Sequence, residues 1–94
     1  MLGNPPKEVD GATVELFAFT RDAHATRATR HSEIENPDTE VAALAIAKYE
    51  GSSDYYLFYC NEAWVALTDT WHPSLESAID QANYEFSGLT FTAP

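Results

Sequence analysis

The sequence predicts an α+β domain: an antiparallel sheet of about four strands with one C-terminal helix packed on one face. Three observations point there. Between residues 41 and 72, short runs rich in β-branched and aromatic residues alternate with polar breaks, the pattern of hairpins. From 75 to 86 the apolar period changes to that of a helix. A chain of 94 residues with 45% hydrophobic and 13% aromatic content suits a single folded core, so residues 1–94 read as one small domain.

The elements follow in order. Residues 1–11, MLGNPPKEVDG, are rich in proline and glycine and read as a flexible arm. ATVELFAF (12–19) alternates Val14, Leu16 and Ala18 against Thr13, Phe17 and Phe19, which suits a strand. Residues 20–40 offer mainly alanines and Ile34 to bury and read as a long loop or exposed edge strand, closed by the turn signal Asn36-Pro37-Asp38. VAALAIAKYE (41–50), YYLFYC (55–60) and WVALTDTW (64–71) are three meander strands with polar turns between them. His72-Pro73 ends the last strand and Ser74 is a natural N-cap. Leu75, Ala78, Ile79, Ala82 and Phe86 then fall within an arc of about 100°, the width of a core-facing stripe. Gly88 suits the left-handed C-terminal position.

The sheet strands are apolar on both faces, but one helix covers one face. If Asn61-Glu62 is a two-residue loop, Tyr56 faces Leu67 and Phe58 faces Val65; a three-residue loop would change these partners. With the helix over Tyr56, Phe58, Val65, Leu67, Leu44 and Ile46, the other face presents Tyr55, Tyr59 and Trp64 beside Ala43, Ala45 and Ala47. Either the N-terminal strand and loop cover that face, or it is a protein contact, because aromatic patches over small residues suit interfaces. On the helix, Tyr84 points away from the buried stripe, near Glu76, Ser77 and Asp80.

Charge narrows the partners. The formal net charge is -10; all five basic residues lie within 1–48, whereas residues 49–94 carry seven acids and no Lys or Arg. Nucleic acid and anionic membrane are disfavoured as ligands, since phosphates require clustered cations, and a basic protein is favoured. The start of the chain has no basic and apolar leader pattern and no apolar run is long enough to span a bilayer, so a cytoplasmic location is expected. The single cysteine, Cys60, excludes an internal disulfide.

Catalytic and metal chemistry find little support. His24, His31, His72 and Cys60 have no metal-ligand spacing, no glycine-rich phosphate loop is present, and no nucleophile elbow occurs, so neither metal nor cofactor is expected. Asp69 near His72 could form an acid and base pair, and a hydrogen bond at the strand end or helix start accounts for Asp69 more simply.

From Tyr56 to Gly88 the chain resembles a small type of bacterial domain. The shared features are an aromatic hairpin with Cys-Asn at its tip, Trp64 opening the next strand, Asp-Thr-Trp-His before the helix, and Glu-x-Ala-x-x-Gln-Ala inside it. The resemblance implies a strand-rich sheet with one C-terminal helix and brings no catalytic residues. Small acidic domains of this general sort include immunity proteins that neutralise toxins.

The leading expectation is therefore a non-catalytic protein-interaction domain, homodimeric through the aromatic face that carries Tyr55, Tyr59 and Trp64. The alternative is an immunity-type or adaptor protein that binds a basic partner through Glu76, Asp80, Tyr84 and Glu85. A small enzyme using Asp69 and His72 is the third reading.

Overall fold

The computed structural model describes residues 3–94 and has the expected α+β architecture. A curled antiparallel sheet of five strands runs in the order β1-β2-β4-β5-β6, and α2 (Leu75–Glu85) packs on one face. The strands are β1 (Glu8–Val9), β2 (Ala12–Phe19), β4 (Ala43–Lys48), β5 (Tyr55–Cys60) and β6 (Ala66–His72). β3 (His24–Ala25) pairs separately with β7 (Phe86–Ser87), and α1 (Pro37–Glu40) is a single turn.

The fifth strand comes from the segment expected to be a flexible arm. Asp10 and Gly11 both have left-handed φ values, 53° and 85°, the requirement of a two-residue hairpin turn that matches strand twist. They fold β1 onto β2, with Val9 opposite Ala12 and buried. Residues 20–40 are a loop interrupted by β3 and α1. Asn36-Pro37-Asp38 starts α1 instead of making a simple turn: the Asn36 side chain accepts from the Asp38 N–H at 3.2 Å and proline occupies the first turn, where its missing N–H costs nothing.

Two cores lie on opposite faces of the sheet. Beneath α2 sit Leu44, Ile46, Leu57 and Tyr59, with Ala78, Ala82 and Phe86 from above. The far face holds Val9, Val14, Phe17, Ala45, Ala47, Phe58 and Cys60. Leu44 and Ile46 are thus under the helix as expected, but β5 is turned over: Tyr55, Leu57 and Tyr59 lie on the helix side, and Tyr56 and Phe58 lie away from it. The register of the β4–β5 hairpin is the cause, since it sets Ile46 opposite Leu57 and Ala45 opposite Phe58. This arrangement alternates large and small side chains across three strands, with Ala45 between Phe17 and Phe58 and Ala47 between Val14 and Tyr56. Such alternation lets bulky neighbours interdigitate without voids.

Irregularities adjust the faces further. A β-bulge between Val14 and Leu16 puts Val14 on the same face as Phe17 and Phe19, where strict alternation predicts the opposite face. The β5–β6 connection is longer than two residues: Asn61 Oδ1 accepts from the N–H groups of Ala63 (2.9 Å) and Val65 (3.1 Å), and Trp64 is left-handed at φ 62°. Val65, expected in the core, is consequently an exposed loop residue.

Both chain ends finish the sheet on its β2 side. Beyond the reach of β1, Phe17 exchanges two backbone hydrogen bonds of 2.9 Å with Thr92. The N-terminal segment also reaches the far face, where Trp64 Nε1 donates to the Gly3 carbonyl at 3.2 Å. Among the described residues no helix is long and apolar enough to cross a membrane.

Candidate functional site

The joint between β6 and α2 is built as the sequence suggests. Ser74 Oγ accepts from the Ser77 N–H at 3.1 Å, and Gly88 has φ 92° just past the helix. His72 ties the two elements together: it is buried, with Nε2 2.7 Å from Thr70 Oγ1 and Nδ1 3.0 Å from Ser77 Oγ. Burial holds its pKa below the ordinary histidine value, opposed by the negative charge of Glu85. Asp69 does not join it. Three residues apart on one strand, the two side chains point to opposite faces, and Asp69 is exposed opposite Phe58.

The aromatic residues expected to form one patch are dispersed. Tyr59 is 1% exposed beneath α2, Tyr55 is half-buried on that same face with the Lys48 ammonium 5.5 Å from its ring centre, and Trp64 lies on the opposite face. The Trp64 indole stands edge-on to Phe17 with ring centres 6.1 Å apart, and Phe19 completes the cluster. These three side chains therefore do not make a common contact surface. Cys60 is wholly buried and its thiol is pushed up to about 12, so it is held as an inert core group.

The outer side of α2 is different. Glu76, Asp80 and Tyr84 are all exposed and recur every four residues, a stripe roughly 12 Å long at 1.5 Å per residue. Glu76 and Asp80 line an open depression with Ser74, Ser77 and Gln81. Among the described residues no cation forms an ion pair with either acid: Arg27 pairs with Asp38 at 3.1 Å and Arg21 lies over the Phe19 ring. Glu85, expected on this surface, is instead buried. It sits beside Ala78 and Ala82 on the helical wheel, at the border of the apolar stripe, and turns inward to a set of donors.

That set is a polar constellation which sequence spacing did not reveal. One Glu85 oxygen is 2.7 Å from His31 Nε2; the other accepts from the Tyr59 hydroxyl and, at 3.0 Å, from Gln81 Nε2. The His31 and Tyr59 rings lie 4.6 Å apart. Desolvation, followed by the Glu85 carboxylate, raises the Tyr59 pKa far above that of an ordinary tyrosine, so it remains a donor. Above this group, between the 26–36 loop and the sheet, is a cavity of about 380 Å³ whose wall includes Arg27, Arg30, Ile34 and Phe86. β5 supplies Tyr59, the end of α2 supplies Glu85, and the loop supplies His31; the start of that loop is tied to the helix end by Thr26, which donates to the Glu85 carbonyl through its N–H at 2.8 Å and to the Tyr84 carbonyl through its hydroxyl at 2.7 Å. No cluster of three or more His, Cys, Asp or Glu positioned for a metal ion occurs among the described residues.

No family model matches the chain, and neither a curated protein nor a solved structure matches it.

Proposed function

We propose that the protein is a non-catalytic protein-interaction domain that receives a basic partner on the outer face of α2. The observation that carries this reading is the exposed stripe of Glu76, Asp80 and Tyr84, whose two carboxylates border a depression and have no ion-paired cation among the described residues. Carboxylates one helical turn apart beside an exposed phenol ring are suited to Lys or Arg, by charge and by stacking on the ring face. The net charge of -10 adds long-range attraction, which accelerates encounter with a cationic protein. This is the adaptor or immunity-type reading of the sequence, now without Glu85. A cytoplasmic setting accords with the lone cysteine, which needs no oxidising compartment.

The test is capture from the source cell at low ionic strength, comparing the protein with its Glu76→Lys/Asp80→Lys variant. The expected result is a basic protein held by the first, released by high salt, and absent from the second. Equal retention by both would remove this surface from consideration.

A further inference from the structure

A second site lies apart from the helix face, in the cavity over Glu85. Its volume of about 380 Å³ is within the roughly 300–1,000 Å³ usual for small-molecule sites. Its floor is preorganised: Glu85 already accepts from His31, Tyr59 and Gln81, so the carboxylate fixes its neighbours and has little capacity left for a ligand. His31 uses only Nε2 in that network. Its Nδ1 has no partner among the described residues, and no buried side-chain nitrogen or oxygen there is left without one, so Nδ1 keeps some exposure to solvent.

The wall has two chemistries. Ile34, Val41 and Phe86 make it apolar on one side. On the other stand Arg27 and Arg30, two of only five basic residues in a chain of net charge -10. Arg27 is committed to Asp38 and Asn36, whereas Arg30 makes no hydrogen bond or ion pair among the described residues. An anion approaching elsewhere on this protein meets mainly carboxylates; here it meets a free guanidinium next to an imidazole. Glu35 shares the wall and disfavours a second negative charge on the ligand.

We propose that this cavity binds a small organic monocarboxylate with an apolar body. The Arg30 guanidinium takes the carboxylate through its paired N–H groups, beside the His31 ring, whose Nε2 is committed to Glu85. The apolar body lies against Ile34, Val41 and Phe86, where it leaves water. The proposal is independent of the acidic helix face.

Hexanoate and benzoate are the probes, with hexanol and benzyl alcohol as neutral counterparts, in an NMR titration that follows the signals of Ile34, His31 and Phe86. The carboxylates should produce saturable shifts at these residues, with the alcohols weaker by about tenfold or more, the worth of a charge-assisted hydrogen bond. Arg30→Ala should weaken carboxylate binding by a similar factor; Arg30 is exposed and unpaired, so its removal leaves the fold intact, which the melting temperature checks. Glu76→Lys/Asp80→Lys should leave the affinity within twofold. Absence of saturable shifts at millimolar probe, equal affinity for acid and alcohol, or an unchanged affinity in Arg30→Ala would each overturn the proposal.

Discussion

His72 shows how a single side chain gains a pH-dependent role from its place in the fold. Its ring is buried between Thr70 and Ser77, and burial lowers its pKa in the folded protein below the ordinary value of 6.5. The unfolded chain therefore binds the proton more readily, and the slope of stability with pH is positive in this window. The contribution of His72 is fully present above pH 6.5 and is lost as pH falls from there toward the lowered folded value. The unfolding free energies of the protein and of His72→Gln should thus converge between pH 7 and pH 5.5 in urea titrations; a constant difference would show that the ring titrates alike in both states. At the same scale, the Glu85 network was hidden from sequence reading for a simple reason. His31 is 54 residues from Glu85, in a segment with no periodic signal, and the one local sign that sets Glu85 apart from the exposed Glu76 and Asp80 is its place at the border of the apolar stripe.

Elements with strong local signals were legible. Residues 12–19 and 55–60 form strands with the expected limits, and α2 follows its apolar period and its Ser74 cap, because those signals lie within a few residues of each other. Which face of β5 meets the helix was not legible, since it depends on a hairpin register that moves every side chain together. β1 was missed because two residues carry no periodicity; its only local signal is Asp10-Gly11, a dipeptide suited to the tight turn. The short β3–β7 ladder depends on Gly88. At φ 92° a methyl group there would be strained and would sit 3.2 Å from the Asp22 carbonyl oxygen and 3.5 Å from Ala23 Cα. Gly51 has a similar φ of 80° but open space around it. Gly88→Ala should therefore cost about 2 kcal/mol, against about 1 kcal/mol for Gly51→Ala, measured by urea denaturation. Equal losses would mean that the chain relaxes around the added methyl group.

For the molecule as a whole, charge opposes compactness. A net charge of -10 is held within principal dimensions of 34 × 27 × 24 Å, and Arg27–Asp38 is the only Lys or Arg ion pair among the described residues. Screening should weaken the repulsion more than it weakens that exposed pair. The melting temperature should rise by a few degrees when sodium chloride is increased from 20 to about 200 mM, the range over which the Debye length shortens most usefully; a fall would indicate that attractive pairs dominate. Another whole-molecule property follows from how the sheet ends. On the β2 side its backbone groups are occupied by β1 and, farther along, by Thr92, whereas no strand lies beyond β6 among the described residues. The two borders are therefore unequal, seven residues of β6 on one side against the two of β1 on the other, and only the longer offers a ladder of useful length. Two molecules joined along β6 would bury both long borders and leave only the two-residue ones, so this mode of association favours a pair over a fibre.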